Sequence, residues 1–329
     1  MSGKYLVTGG AGYVGSVVAQ HLVEAGNEVV VLHNLSTGFR AGVPAGASFY
    51  RGDIRDQDFM RKVFRGRLSF DGVLHFAAFS QVGESVVKPE KYWDNNVGGT
   101  MALLEAMRGA GVRRLVFSST AATYGEPEQV PIVESAPTRP TNPYGASKLA
   151  VDHMITGEAA AHGLGAVSVP YFNVAGANRG VRLVHDPESH LIPLVLQVAQ
   201  GRREAISVYG DDYPTPDTCV RDYIHVADLA EAHLLAVRRR PGNEHLICNL
   251  GNGNGFSVRE VVETVRRVTG HPIPEIMAPR RGRDPAVLVA SAGTAREKLG
   301  WNPSRADLAI VSDAWEWHSS HPKGYDDRG

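Results

Sequence analysis

The chain has 329 residues, of which 43% are hydrophobic and 21% charged, and its formal net charge is -1. This balance is typical of a globular enzyme with a substantial core and gives no sign of nucleic acid or membrane as partner, and no apolar run approaches the ~20 residues of a membrane span. Two distant cysteines, Cys219 and Cys248, argue against a disulfide framework and a cysteine zinc site. A strand-like run begins almost directly after Met1, where a signal peptide would stand, so we expect the protein in the cytoplasm.

The first 175 residues alternate short apolar runs with amphipathic stretches. Buried strands are predicted at the runs rich in β-branched and aromatic residues, which are KYLVTG, EVVVL, ASFYRGD, DGVLHFAA, RRLVFSST and GAVSVPYFN. The helical period predicts helices over Ser16–Ala25, Asp56–Phe64, Tyr92–Ala110 and Tyr144–His162, each with a glycine at or just beyond its end. Strands that alternate with helices predict an α/β fold with a doubly wound parallel Rossmann sheet.

From about residue 176 this alternation stops, because ANRGVRLVHDPESHLIP is loop-like. Helices are predicted over Leu191–Gly201 and Val226–Val237, and Ser257 with Glu260 three residues later predicts a capped helix start. We expect a dinucleotide-binding domain over residues 1–175, a smaller mixed α/β substrate-binding domain over 176–317, and a flexible tail over 318–329. The chain is expected to cross back between the two domains, and the second would cover the carboxyl ends of the sheet, where ligands bind in such folds.

The segment TGGAGYVG places Gly9, Gly12 and Gly15 between the first predicted strand and the first predicted helix. Glycine suits a tight turn with positive φ and lets the backbone approach a pyrophosphate closely. The helix that follows adds free N–H groups and the positive end of its dipole. At the first strand-to-helix junction of a βαβ pattern, this triplet predicts a dinucleotide site.

The segment NPYGASK places Tyr144 and Lys148 four residues apart, and therefore on one helix face, with Asn142 as cap and Pro143 in the first helical position. A lysine beside a phenol favours the phenolate and lowers its pKa from ~10, which makes Tyr144 a candidate general base for a hydroxyl. Taken alone, such a pair is more often found on a protein surface. The hydroxyl-rich VFSSTAATYG upstream favours the catalytic interpretation.

These motifs, together with HFAAFSQVGESV, NNVGGT, PYFNVAGA and VRDYIHVADLAEAH, resemble the extended short-chain dehydrogenase/reductase family over the chain to about Trp317. Within that family they resemble the enzymes that invert C4 of UDP-hexoses. The resemblance implies interconversion of UDP-galactose and UDP-glucose in galactose metabolism, through a 4-keto sugar and with tightly bound NAD. It also implies no metal, and a homodimer joined by the helices over Tyr92–Ala110 and Tyr144–His162.

The resemblance also implies a role for individual residues. The implied catalytic residues are Tyr144 as base for the sugar O4, Lys148 beside it, and Thr120 as hydrogen-bond partner of O4. The residues implied to bind NAD are Gly9, Gly12, Tyr13, Val14, Gly15, His33, Asn34, Asp53, Ile54, Phe76, Ala77, Ala78, Asn95, Thr120, Tyr144, Lys148 and Phe172. The residues implied to bind the UDP-sugar are Thr120, Tyr144, Asn173, Leu191, Tyr209, Arg221, Arg281 and Asp284.

The sequence departs from the family's pattern at several positions. His33 stands where the family has an aspartate that bonds both adenosine ribose hydroxyls, so we expect NAD binding weaker by ~1–3 kcal/mol and weaker discrimination against NADP. The loop YPTPDTCVRD is one residue short, Ser80 replaces a lysine found near the diphosphate in some members, and the stretch from 176 to 189 is atypical. Leu288, near the position that gates the sugar pocket, has no aromatic ring, which suggests that N-acetylhexosamine nucleotides are admitted.

Of three other functions, the sequence argues against one and leaves two open. Nucleotide-sugar dehydratases share the Tyr/Lys pair, but they need an acid–base pair directly after the Ser/Thr, where this chain has Ala121 and Ala122. An epimerase for UDP-glucuronate or UDP-GlcNAc would differ only in its sugar pocket. A non-catalytic dinucleotide-binding protein would have no use for a hydroxyl base, although His33 and the short loop before Arg221 keep that alternative open.

Overall fold

The computed structural model describes residues 2–65, 69–178, 181–182, 188, 190–215, 217–239, 242–280, 285–305 and 307–321. Strands β1 to β15 span Lys4–Thr8, Glu28–His33, Ala47–Arg51, Gly72–His75, Arg114–Thr120, Gly165–Tyr171, Asn173–Ala175, Ala177–Asn178, Val181–Arg182, Ile206–Tyr209, Val220–His225, His245–Ile247, Gly255–Ser257, Glu275–Ala278 and Val287–Leu288. Helices α1 to α11 span Tyr13–Glu24, Gln57–Arg65, Val82–Val87, Pro89–Tyr92, Gly99–Gly109, Pro143–His162, Leu191–Ala199, Val226–Arg238, Val258–Thr269, Gly293–Leu299 and Asp307–Ser320. None of these helices combines the length and the apolar character that crossing a membrane requires.

The large sheet has seven strands in the order β12-β6-β5-β4-β1-β2-β3. Every neighbouring pair in it is parallel, which confirms the predicted doubly wound Rossmann sheet, and the six strands predicted from apolar runs are β1 to β6. The order of the strands reverses between β1 and β4. At such a switch point the crossovers leave on opposite faces of the sheet, and a crevice forms at the carboxyl ends of the strands.

Both faces of this sheet are covered by helices, which explains the nearly continuous apolar runs. Alternate residues of one strand point to opposite faces, so Leu6 packs into the core beneath α2, α5 and α6, whereas Val7 packs into the core beneath α1 and α8. The short edge strand β12 lies in the part of the chain that was predicted to form the second domain. Three residues, His245–Ile247, are too few to give a strand pattern of their own.

A third apolar core lies under α7, α9 and α11, and strand β11 pairs with β7, β13 and β15 beside it. The predicted capping box at Ser257 and Glu260 is confirmed, with both of its reciprocal hydrogen bonds present. Helix α11 continues to Ser320 and buries His318, so the prediction that a tail begins at residue 318 is wrong. Residues 322–329 of that predicted tail lie outside the described residues.

Candidate active site

A cleft of about 720 Å³ opens at the carboxyl ends of the sheet strands, between the sheet and the β11 region. Its wall brings together most of the residues to which the sequence assigned a role, and these are Gly9, Gly12, Tyr13, Val14, Gly15, His33, Asn34, Ile54, Phe76, Ala77, Ala78, Asn95, Thr120, Tyr144, Lys148, Phe172, Asn173 and Arg221. Residues far apart in sequence thus meet at the one place where the topology predicts a ligand site.

The cleft wall does not include Asp53, Leu191 or Tyr209. The Asp53 carboxylate accepts hydrogen bonds from Asn34 and from the Arg55 guanidinium, which holds its pKa well below its usual range. Leu191 is the first residue of α7, and Tyr209 ends β10, where its side chain is exposed. Arg281 and Asp284 lie outside the described residues.

Several wall residues were missed by the sequence analysis. Tyr171 ends β6 and Val174 lies in β7, and their position on either side of the predicted pair Phe172 and Asn173 was the available signal. His190 directly follows the atypical stretch from 176 to 189 and immediately precedes α7, and no role was assigned to it. The further lining residues that had no assigned role are Leu32, Ser36, Thr37, Gly52, Phe79, Val82, Val86, Ser118, Gly125, Thr141 and Pro285.

Three glycines form the part of the wall that we call the glycine cradle, namely Gly9, Gly12 and Gly15. Gly9 has a φ of +74°, and a Cβ atom there would lie 2.5 Å from the backbone nitrogen of Ala77. A Cβ atom on Gly15 would lie 2.5 Å from the Gly9 carbonyl oxygen, so both positions require glycine. Helix α1 begins directly after Gly12, and its first N–H groups face the cradle. This is an anion site suited to a pyrophosphate.

The catalytic candidates stand at the start of α6 and the end of β5. Asn142 caps α6 by accepting a hydrogen bond from the Gly145 N–H at 2.9 Å, and Pro143 is the first helical residue, as predicted. This start buries Tyr144 and Lys148 on one helix face, with Tyr144 only 9% and Lys148 only 4% exposed. Thr120, the last residue of β5, lies beside the Tyr144 phenol, and its hydroxyl oxygen accepts a hydrogen bond from the Ala122 N–H at 3.2 Å.

The predicted lowering of the Tyr144 pKa is not found in the structure. Burial raises the pKa of Tyr144, and the Thr120 hydroxyl beside it offsets only part of that rise. The Lys148 ammonium is engaged elsewhere, since it donates to the Ser118 carbonyl at 2.7 Å and lies 4.7 Å from the centre of the Phe117 ring. Burial also lowers the pKa of Lys148 to about 8, against a smaller opposing effect of Asp152.

The predicted helix over Tyr92–Ala110 is interrupted by a π-helical turn at Trp93–Gly98. The turn brings Asn95 to the cleft wall and turns Asn96 inward. The Asn96 side chain accepts from the Phe79 N–H at 2.9 Å and donates to the Phe79 carbonyl and the Ser147 hydroxyl, each at 3.0 Å. This network fastens the wall around Phe79 to the helix that carries Tyr144, and π turns of this kind are frequent at functional sites.

Across the cleft, parallel pairing of β11 with β15 sets Arg221 opposite Leu288. The fully buried Asp222 carboxylate accepts from the backbone N–H groups of Asn252, Gly253 and Ala290 at 2.7, 3.1 and 3.0 Å. Its own carbonyl accepts from the Asn173 side chain at 3.2 Å. One buried carboxylate therefore fixes the segments that carry Arg221 and Leu288.

The described part of the chain contains no group of three or more His, Cys, Asp or Glu side chains placed to hold a metal ion. What the cleft offers is an anion cradle, a buried phenol with a threonine and a lysine beside it, and an arginine on the facing wall. Such a set suits proton transfer at a hydroxyl of a ligand that also carries phosphate groups.

Comparison with known proteins supports the same conclusion. Residues 5–251 match the model of the NAD dependent epimerase/dehydratase family. The chain is 56% identical to the UDP-glucose 4-epimerase of Corynebacterium glutamicum over 319 residues, which is 96% of each chain. Two solved UDP-glucose 4-epimerases are also similar: that of Brucella ovis in complex with NAD (44% identity, TM-score 0.92, 96% and 98% of the two chains) and that of Bifidobacterium longum in complex with NAD+ and UDP (37%, 0.91, 98% and 100%).

Proposed function

Because this chain belongs to the NAD dependent epimerase/dehydratase family, we propose that it is an isomerase that inverts C4 of UDP-galactose and UDP-glucose with bound NAD. The observation that carries the proposal is that one cleft joins the glycine cradle to the buried Thr120, Tyr144 and Lys148. A dinucleotide held in the cradle and a hydroxyl held by these side chains meet there.

The residues of the sheet side fit the cofactor. The glycine cradle receives the pyrophosphate, because side chains at Gly9 and Gly15 would collide with backbone. His33 and Ile54 stand where the adenosine end lies, and Lys148 and Phe172 stand at the other end. NAD, when bound, supplies the redox chemistry by which C4 is oxidised to a ketone and then reduced from its other face.

Side chains of the protein carry out the proton transfer at the sugar O4. The Tyr144 phenol exchanges the O4 proton of the sugar, and the Thr120 hydroxyl, in reach of the same phenol, holds O4 in position. Burial of Tyr144 disfavours its phenolate, and a charged Lys148 on the same helix face, although it donates to the Ser118 carbonyl, offsets part of that cost through its positive charge. Ala121 and Ala122 follow Thr120 in the wall and have no proton to give, which favours epimerisation over elimination of water.

The wall of the cleft on the β11 side binds the nucleotide tightly and the hexose loosely. Arg221 offers a guanidinium fork that matches phosphate oxygens. Leu288 and Val86, by contrast, border the cleft with side chains that make no hydrogen bond to a sugar hydroxyl. A hexose that must present both faces to one hydride donor needs such a surface.

The proposal is tested by incubating the purified protein with UDP-galactose, with and without added NAD, and measuring the UDP-glucose formed. We expect conversion without added NAD, because the cradle holds the cofactor through purification. Conversion that requires added NAD would keep the function and show a loosened cofactor. No conversion under either condition would contradict the proposal.

Leu288 favours a second substrate, the N-acetylhexosamine nucleotide UDP-GlcNAc. The side chain lines the cleft beside Arg221, on the neighbouring strand of the same wall, and a leucine leaves space that an aromatic ring would fill. We therefore propose that UDP-GlcNAc is also epimerised. Turnover below about 1% of the UDP-galactose rate would contradict this, since a pocket that fits both sugars discriminates by less than that.

We further propose a homodimer, joined by α5 and α6 of each subunit. Trp93, in the π turn before α5, and Met101, in α5, are 43% and 57% exposed. The outer face of α6 carries the small residues Gly157 and Ala160. Small residues let helices approach closely, and exposed large apolar side chains favour a partner. Sedimentation should give a dimer, and Met101→Glu should shift it toward the monomer. We also propose a cytoplasmic location, which a sequence with only two, widely separated cysteines, both buried in the structure, supports.

A further inference from the structure

The side chain of His33 ends β2 at the cleft wall and is 7% exposed. Its Nε2 atom lies 3.8 Å from the place that a Cβ atom on Gly12 would occupy. The open side of the ring therefore faces the glycine cradle. In βαβ folds this is where the adenosine ribose of the dinucleotide lies, with its 2′ position toward the end of the second strand.

The protonation state of this ring is fixed by the backbone. The Leu35 N–H donates a hydrogen bond to His33 Nδ1 at 2.7 Å, and a backbone N–H can only donate. Nδ1 is therefore the unprotonated nitrogen. Burial lowers the pKa of His33 to about 4, so the ring is neutral near pH 7 and its one proton is on Nε2. The group that His33 presents to the ligand is a hydrogen-bond donor.

The turn after β2 holds the ring in this orientation. Leu35 has a φ of +60° and is the one non-glycine residue with positive φ in the described ranges, so the backbone turns directly after the N–H that bonds the ring. The Asn34 side chain accepts from the Ser36 N–H at 3.0 Å and stabilises the turn. On the other side, a Cβ atom on Gly38 would lie 2.8 Å from His33 Cε1, so the ring packs directly against backbone. A flipped ring would set a carbon against the Leu35 N–H.

The surroundings of His33 do not repel negative charge. Among the described residues that line the cleft there is no carboxylate. The nearby Asp53 lies outside the wall, and the Arg55 guanidinium binds both of its oxygens, at 3.0 and 2.8 Å. Ser36 and Thr37 add hydroxyl side chains to the wall beside the ring.

We infer that this site binds NADP as well as NAD. The His33 Nε2–H donates a hydrogen bond to the 2′-phosphate of NADP or to the 2′-hydroxyl of NAD. A carboxylate at the same place would accept from the hydroxyl and repel the phosphate. An N–H donor bonds either oxygen. The inference rests on the proposed function only in placing the dinucleotide in this cleft, and it adds a second cofactor and the residue that admits it.

The test measures bound nucleotide and not turnover. The purified protein is equilibrated with NAD, with NADP and with mixtures of the two and freed of unbound nucleotide. The bound fraction is then released with acid and quantified by chromatography. We expect the wild-type affinities for NAD and NADP to lie within about tenfold of each other, and His33→Asp to move the ratio toward NAD by about 100-fold, because a new carboxylate faces the phosphate. His271→Asp makes the same change of charge at an exposed residue outside the cleft wall and should keep the wild-type ratio.

Wild-type protein that holds NAD and excludes NADP as strongly as His33→Asp would overturn the inference. If His33→Asp does not fold, competition between NAD and NADP for the wild-type protein is a sufficient test, because exclusion of NADP by the wild-type protein would also overturn the inference. Binding of both nucleotides without conversion of UDP-galactose would support the inference and contradict the proposed function. Binding of neither would overturn both.

Discussion

The two walls of the cleft are built in different ways. The cofactor wall, which we define as the lining residues from Gly9 to Phe172, rises from the ends of the parallel strands of the seven-stranded sheet. The sugar wall, which we define as Asn173, Val174, His190, Arg221, Pro285 and Leu288, rests on a smaller sheet, in which β11 pairs with β7 of three residues and β15 of two. The sheet fixes the first wall, whereas the single carboxylate of Asp222 fixes much of the second.

This difference corresponds to what each wall has to do. NAD stays in place from one turnover to the next, and the groups that move a proton must hold a constant distance from it. All three catalytic candidates accordingly lie on the cofactor wall. The sugar ring must rotate within the cleft so that both of its faces meet the nicotinamide. Substitutions in the sugar wall, which a few hydrogen bonds hold in place, can therefore change the sugar preference without displacing the catalytic residues. The two walls should therefore respond differently to substitution.

The largest effect is expected for Tyr144→Phe, which removes the proton-exchanging group from the cofactor wall. We expect kcat to fall by about 10³-fold, because general acid–base catalysis is worth that order, while the bound NAD is retained. Turnover of UDP-galactose and the nucleotide released by acid are the two measurements. Tyr50→Phe, on the exposed side of β3, is the matched control. A Tyr144→Phe variant within tenfold of wild type would remove Tyr144 from the mechanism.

Next in size is Lys148→Met, for which we expect a loss of about 10²-fold in kcat, since the phenolate loses its buried positive neighbour. The dependence of kcat on pH tests whether the charged form of Lys148 is the active one. Burial lowers the pKa of Lys148 to about 8, so the ammonium is charged below that pH and neutral above it. Wild-type kcat should fall as the pH rises through about 8, and the variant should lack this alkaline fall. Lys62→Met, on the exposed side of α2, is the control. An alkaline fall that persists without Lys148 would assign it to another group.

On the sugar wall, Asp222→Asn should raise KM for the UDP-sugar by about tenfold and lower the free energy of unfolding by about 1–3 kcal/mol. An amide has only one acceptor oxygen for the three N–H groups that Asp222 now satisfies, so the segments bearing Arg221 and Leu288 loosen. The bound NAD and kcat should change little. Asp211→Asn, at an exposed position, serves as control. Loss of NAD together with the rise in KM would show that the two walls are not independent.

The smallest effect on the reaction of UDP-galactose is expected for Leu288→Tyr. A phenol at this position fills space in the cleft, so turnover of UDP-GlcNAc should fall by more than about tenfold while UDP-galactose turnover stays within about twofold. Both rates are measured on the same preparation. Equal loss for the two sugars would show that Leu288 does not face the C2 substituent.

The same contrast between the walls appears in what the sequence could predict. The sheet strands and the glycine cradle follow from local patterns, since buried parallel strands give apolar runs and the turn at Gly9 demands glycine. The cap at Asn142 was equally visible. The role of Asp222 was not, because its three partners come from two segments about thirty and about seventy residues away.

Three features of the site could not be predicted from the sequence, because they depend on contacts in the folded structure. The π turn at Trp93–Gly98 depends on the contacts of Asn96 with Phe79 and Ser147, which no periodicity records. The electrostatics of Tyr144 depend on how deeply α6 buries it, and spacing alone gave the opposite direction for its pKa. Asp53, predicted to bind the cofactor, lies outside the cleft wall, and no pattern in the sequence shows that Arg55, two residues on, binds its carboxylate.

The central claim, that one cleft oxidises and reduces the same carbon without releasing its hydrogen, is tested most directly with UDP-galactose deuterated at C4. The UDP-glucose formed is analysed by mass spectrometry and NMR for deuterium at C4. We predict that the product keeps the label at C4 and that reaction of unlabelled substrate in D2O introduces none there. Loss of the label to solvent, or incorporation of solvent deuterium at C4, would contradict this account, because inversion would then proceed by exchange of a proton on carbon.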